Sequence, residues 1–158
     1  MVAEIISIGD EILIGQVINT NCAWIAENLN NIGLKVTKIY TIGDDKLHII
    51  NTLEHAEAHS DIIIITGGLG PTKDDITKAA LCEFFNTKLV FNDVAFLNVK
   101  HIFESRNIPL NELNKMQAML PENCTALHNK YGTAPGLWFE KSGKIFVSLP
   151  CVPYEMKF

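Results

Sequence analysis

Hydrophobic and polar positions recur with two different periods along this chain, and the switch between them separates strands from helices before any single residue is weighed. Residues 2–8, VAEIISI, form a short β-rich run that stops at Gly9. The stretch NTNCAWIAENLNNIG then places Cys22, Ile25, Ala26, Leu29 and Ile32 at helical spacing, with Gly33 as a C-terminal stop. In LKVTKIYTI, residues 34–42, the period returns to two. DDKLHIINTLEHAEAH follows and predicts a helix with an acidic first turn and a buried stripe of Leu47, Ile50, Leu53 and Ala56. The next unit opens on DIIIIT, residues 61–66, continuously apolar and β-branched, as a strand covered on both faces of a parallel sheet must be.

After a glycine-rich loop, DDITKAALCEFFN (74–86) predicts a helix carrying Ile76, Ala79, Ala80, Leu81, Cys82 and Phe84, and KLVF (88–91) another short strand. DVAFLNVKHIFESR and LNELNKMQAM predict two further helices, separated by Pro109. Beyond Pro121 the pieces CTAL, GLWFE and KIFVSL are strand-like, interrupted by NKYGTAPG and KSG. The order βαβαβα predicts an α/β fold, an open and mostly parallel sheet with helices on both faces, in one domain over residues 1–158. Ligands of such sheets bind at the carboxyl ends of the strands, near a topological switch.

Charge narrows the ligand. A net charge of -5 argues against a nucleic-acid partner, which would require clustered Lys and Arg, but leaves a small phosphorylated molecule open. The N-terminal MVAEIISIGDE has no basic segment and carries Glu4 inside its apolar run, so it is expected to be a first strand and not a signal peptide. No stretch approaches the roughly 20 apolar residues of a membrane helix. The expectation is a cytoplasmic protein without a membrane partner. Cys22, Cys82, Cys124 and Cys151 are widely spaced, with no C-x-x-C pair, and are expected to be reduced thiols. His55 and His59 share a helix face, but H-x-E-x-H is not the H-E-x-x-H order of zinc proteases, so a solvated face is expected.

Candidate chemistry gathers at TGGLGPTKDD, residues 66–75. Gly67, Gly68 and Gly70 follow the buried strand, where missing β-carbons let backbone N–H groups approach an anion. Thr72 and Asp75 fit a capping box for the next helix. Capping needs one acid, whereas Asp74 and Asp75 are two, and the first strand ends nearby with Asp10 and Glu11. Four carboxylates from two segments repel unless a cation or a donor-rich ligand lies between them. A metal-plus-phosphate site and structural capping both remain open on spacing alone. The loop lacks the G-K-[ST] end of a P-loop and does not fit G-x-G-x-x-G, so NAD is not expected.

GDEILIGQVINTN (9–21), TGGLGPTKDDIT (66–77), NKMQAMLP (114–121), NKYGTAPGLWFE (129–140) and LPCVPYEM (149–156) together resemble the N-terminal domain of the CinA competence/damage-inducible family. They more distantly resemble the molybdopterin-binding domain of the MogA and MoeA proteins. The resemblance runs across the whole chain in order. It implies a three-layer molybdopterin-binding-like sandwich, and metal-dependent pyrophosphatase activity on ADP-ribose stimulated by potassium. In MogA-like relatives the same frame handles a pterin phosphate and its adenylylated form. Asp75 and Thr77 align with the acid and threonine of the MogA-like loop, and Asp74 stands where those proteins tend to have Arg.

On that resemblance Asp10, Asp75 and Asp74 would hold a divalent cation (Mg2+, Mn2+ or Co2+), with Glu11 as general base or outer ligand. Gly67, Gly68 and Gly70 would stabilise phosphoryl oxygens, and Asn21, Asn129 and Thr133 would bond a ribose or base or else hold their own turns. The rival reading is a non-catalytic pterin- or nucleotide-binding module and oligomer scaffold. A homo-oligomer is expected, with Trp24 and Trp138 as candidate contacts. Cys151 replaces the family's usual Gly in LPGVP and is expected to strain its turn if that turn needs a positive φ. CinA-type chains continue to a C-terminal nicotinamide mononucleotide deamidase domain, so this chain, ending at Phe158, is expected to be truncated, without the helix that should follow Pro153, and to lack that activity.

Overall fold

A computed structural model describes residues 1–69 and 76–156, apart from the side chain of Leu113. The elements run β1 (Val2–Ile8), α1 (Asp10–Leu13), α2 (Thr20–Asn31), β2 (Lys35–Ile42), α3 (Lys46–His59), β3 (Ile62–Thr66), α4 (Ile76–Phe84), β4 (Leu89–Phe91), α5 (Asp93–Ser105), α6 (Glu112–Met116), β5 (Met119–Pro121), β6 (Thr125–Leu127), β7 (Gly136–Lys141), β8 (Lys144–Leu149) and α7 (Pro153–Met156).

Six strands form one sheet in the order β2-β1-β3-β8-β7-β6. The pairs β1–β2, β1–β3 and β3–β8 are parallel, and β8–β7 and β7–β6 antiparallel, so the sheet is mostly parallel, as expected. KLVF is not one of its strands: β4 pairs antiparallel with β5 in a separate two-stranded ribbon. That pairing also shortens the helix expected over LNELNKMQAM. The Asn111–Asn114 capping box starts α6, which ends at Met116, and residues 119–121 leave to pair with β4.

Strand alternation distributes the core to both faces. Ile63 and Ile65 of β3 join Ile6 and Ile8 of β1, Ile49 and Leu53 of α3, and Leu81 and Phe84 of α4 on one side. Ile62 and Ile64 join Ala3, Ile5, Cys22, Ile25 and Met156 on the other, under α2 and α7. The isoleucine run is therefore buried on both sides.

Helix phase differs from the pattern in two places. On α3 the buried stripe is Ile49, Thr52, Leu53 and Ala56, while Leu47 is exposed and Ile50 half-buried. Two phases of LHIINTL share Leu53 and Ala56, and the observed one is accessible because the Thr52 hydroxyl donates to the His48 carbonyl at 2.7 Å. On α2, Cys22 and Ile25 are buried, but Ile32 sits at the C-cap and is exposed. His55 and His59 are exposed, and the His59 Nδ1 lies 2.7 Å from the carbonyl of His55. Trp24 and Trp138 are half-buried, Trp24 against the α2-side core and Trp138 donating to Glu140. All four cysteines are free thiols. Among the described residues no helix is long and apolar enough to cross a membrane.

Candidate functional site

Parallel strands bring their carboxyl ends to one edge of the sheet, and a cavity of about 270 Å³ opens there. Ser7 and Ile8 of β1 and Thr66 of β3 form its floor, Glu11 and Ile12 of α1 with residues 17–21 one wall, and Cys151–Pro153 the other. None of the described residues that line it is Lys or Arg.

The acidic turn after β1 has a twin that the sequence reading missed. SIGD at residues 7–10 and TIGD at 41–44 end adjacent strands in register, Ile8 opposite Ile42, and the repeated I-G-D was the signal available. The two aspartates bond reciprocally: the Asp10 amide donates to Asp44 Oδ2 at 3.2 Å, and the Asp44 amide to Asp10 Oδ1 at 3.3 Å. Both glycines leave room for carboxylates. A β-carbon on Gly43 would collide with Asp10 Oδ1, and one on Gly9 would lie 2.6 Å from Glu11 Oε1. Asp10 is exposed at the rim and Glu11 half-buried in the wall.

Gly67 plays a different part from the one expected. Its N–H donates to the Leu149 carbonyl at 3.3 Å, so it serves the junction of β3 with β8 and is not free to bind a phosphoryl oxygen. Its φ is 117°, and a β-carbon there would run into the Ile8 carbonyl. Gly68, φ 65°, lies against Thr77 in the same way, its missing β-carbon leaving space for the Thr77 hydroxyl. Thr77 is fully buried and its Oγ1 has no hydrogen-bond partner among the described residues. Replacing Thr77 by valine keeps the shape and removes that hydroxyl. The urea midpoint is expected to hold or rise, by up to about 1 kcal/mol in stability, because an unmade buried hydrogen bond costs more than it returns. A clear fall would show that the hydroxyl has a partner in the free protein.

Asn21 belongs to the cavity wall. Its Nδ2 donates to the Cys151 carbonyl at 2.7 Å, tying α2 to the opposite wall, while its Oδ1 is buried without a partner among the described residues. Asn129 is used within its own turn. Its Oδ1 accepts from the Tyr131 and Gly132 amides, and its Nδ2 donates to the Ala134 carbonyl at 2.8 Å and to Glu155 Oε2 at 3.0 Å. It fastens α7, whose Pro153 walls the cavity, and does not itself line it; nor does the half-buried Thr133. Of the two roles open for Asn129, holding the turn is the one its bonds fill.

Cys151 does not strain its turn, since it is not among the described non-glycine residues with positive φ. Desolvation pushes its thiol above the usual range, and the carboxylates of Glu11, Glu155 and Asp44 push further in the same direction. Gly70, Thr72, Asp74 and Asp75 lie outside the described residues.

Comparison with known proteins sets this geometry in a lineage. The chain is 50% identical over 159 residues to a CinA-like protein of Flavobacterium psychrophilum, covering 100% of this chain and 38% of that relative's length. The crystal structure of the protein CinA, of unknown function, from Thermoplasma acidophilum superposes with a TM-score of 0.87 at 33% identity, covering 99% of this chain and 91% of that one. The tungsten cofactor synthesizing protein MoaB from Pyrococcus furiosus shares the fold, with a TM-score of 0.61 at 18% identity over 99% of this chain and 85% of that one. A family model described as "Probable molybdopterin binding domain" matches residues 4–158, and the chain belongs to that family.

Proposed function

We propose that the crevice beyond β1 and β3 is a metal-dependent diphosphate hydrolase site acting on a nucleotide diphosphate sugar such as ADP-ribose. The observation that carries this reading is the composition of the cavity: Glu11 lines its wall, exposed Asp10 precedes it in the chain, and no Lys or Arg is among the described residues that line it. A diphosphate entering such a place meets the like charge of Glu11, which a cation brought with it would offset. Among the described residues no three Asp, Glu, His or Cys side chains gather to hold an ion. That fits a Mg2+-type ion, which is held by one or two carboxylates and the substrate's own phosphates in place of a full protein cage. Asp10 and Asp75 would be the carboxylates.

Such an ion, when bound, supplies Lewis-acid polarisation of a phosphoryl group and an acidified water. The chain's own residues do the rest. Asp44 fixes Asp10 through the reciprocal amide bonds, so the carboxylate is oriented before substrate arrives. Glu11, held over Gly9 in the wall, is placed to take a proton from an attacking water. Ile12, Val17 and Ile18 on one side and Val152 and Pro153 on the other give a flat heterocycle apolar walls.

A second reading, a binding module without turnover, is favoured by the Gly67 amide, whose bond to Leu149 removes one expected oxyanion donor. The test is AMP release from ADP-ribose by the purified chain, with potassium and Mg2+, Mn2+ or Co2+. Asp10→Asn and Asp75→Asn variants run beside it. The hydrolase reading expects turnover that chelation and either substitution reduce to background. No turnover while ADP-ribose still binds in calorimetry would overturn it in favour of the binding module. The chain spans 38% of the length of its Flavobacterium relative, so an activity found here would belong to this domain alone.

A further inference from the structure

Two histidines on α3 lie outside the crevice and have no part in the chemistry proposed there. His55 and His59 are exposed and stand four residues apart, with ring centroids separated by 4.4 Å and ring planes tilted by 32°. The H-x-E-x-H order denies them the catalytic glutamate of a zinc protease, and Glu57 between them is taken by Lys141 at 3.0 Å. Ligation asks for less than catalysis. It needs two imidazoles on one helix face, each with a lone pair to offer.

The bonds around the two rings fix which nitrogen offers it. The His59 Nδ1 lies 2.7 Å from the His55 carbonyl, which can only accept, so Nδ1 carries the proton and the lone pair of the neutral ring is on Nε2. The His55 Nε2 lies 3.3 Å from the Lys38 ammonium, which can only donate, so there too the lone pair is on Nε2. A ring N–H given to a backbone carbonyl, as in His59, is also the bond that sets the tautomer of metal-bound histidines. The spacing agrees with a shared ion. Two ring nitrogens each about 2.1 Å from one ion, at a right angle to one another, put their ring centres about 4.5 Å apart.

We propose that His55 and His59 form a binding site for a divalent transition ion of the Ni2+, Cu2+ or Zn2+ class, held through both Nε2 atoms with water in its remaining positions. Among the described residues no third His, Cys, Asp or Glu joins the pair, so an oxygen-seeking ion such as Mg2+ has nothing to hold here, whereas imidazole suits the later transition metals. Lys38 is what the ion displaces. Its ammonium keeps the buried Glu4 carboxylate, 3.8 Å away, as a second partner when His55 turns to the metal. His59 is the last residue of α3, where the carbonyl end of the helix favours positive charge. α3 starts just past the carboxyl end of β2 and finishes just before the amino end of β3, which sets this site at the edge of the sheet away from the crevice. It is independent of the chemistry proposed there.

Calorimetric titration of the untagged chain with Ni2+ tests the proposal. One Ni2+ per chain is expected, and His55→Ala and His59→Ala should each weaken its binding by more than about tenfold. Lys38→Met should tighten it several-fold by removing the competing ammonium, a gain that a merely structural role for these side chains would not give. In NMR spectra the paramagnetic ion should broaden the ring signals of His55 and His59 ahead of those of His48, His101 and His128. The three substituted side chains are exposed, so folding does not depend on them. Absence of Ni2+ binding overturns the proposal, as does binding that both alanine variants leave unchanged, which would put the ion in the crevice or on a thiol.

Discussion

Replacing Gly67 with alanine is expected to destabilise the domain by at least about 3 kcal/mol, since it combines a backbone clash with a forbidden conformation. The glycine has φ 117°, a region L side chains rarely adopt, and its β-carbon would run into the carbonyl of Ile8, part of the central strand β1. Neither can yield cheaply. Ile8 is held in register against Ile42, and Gly67 itself is bonded to Leu149, so relief of the clash would pry apart the carboxyl ends of β1, β3 and β8 together. For a domain of this size the melting temperature should fall by about 6–12 °C. Gly15→Ala is the control: its φ is also positive, but nothing lies within 4 Å of the added carbon, so the strain is local. A Gly67 variant that melts no lower than the Gly15 variant would refute the close approach of the two strands.

Phe146→Ala, in the core between the sheet and α3 and α4, should cost about 3–5 kcal/mol. Phe146 is fully buried on β8 and meets two rings edge to face, Phe84 at 5.4 Å and Phe85 at 5.1 Å between centroids. Phe85 in turn stacks on Phe139 of β7 at 4.1 Å. Loss of the ring therefore opens a cavity where α4 is anchored to β7 and β8. The surrounding aromatics are held by one another and cannot collapse into it. Chemical denaturation should show a lower midpoint at an unchanged slope. Phe146→Leu should lose no more than about 1.5 kcal/mol. Equal losses for leucine and alanine would show that ring geometry matters more than filled volume.

The strands of the parallel half could be read from the chain because burial on both faces forces a continuous β-branched run, and DIIIIT has no other explanation. The helical stretches were recognisable as helices, but the phase of α3 was not. LHIINTL fits two stripes, and the choice between them depends on a threonine able to bond its own helix, a tertiary fact invisible in periodicity. The partner of β4 was not foreseen, because a three-residue apolar run carries no information about which strand it joins, and β5 was hidden at the end of a stretch with helical spacing. At the crevice, Asp10, Glu11 and Asn21 were legible as polar residues just past a strand or opening the helix after it. Asp44 was missed although its I-G-D repeats that of Asp10, because only the parallel pairing of β1 with β2 brings the two turns together. Glycine invites a ligand reading wherever backbone must come close. At Gly67 what comes close is another strand.

The position of β8 has a consequence for how the protein is made. β3 has β1 on one side, available early in synthesis, but its other neighbour is β8, with Ile62 paired to Ile145 and Thr66 to Leu149. While the ribosome adds the intervening residues, at about 5–20 per second, the nascent chain holds four consecutive isoleucines along an open strand edge for several seconds. Closure of the sheet waits for a strand that also pairs with β7, a long-range contact of the kind that slows folding. Chaperones that guard open edges have their narrowest window on this chain just before β8 emerges, and that is when the protein is most exposed to aggregation.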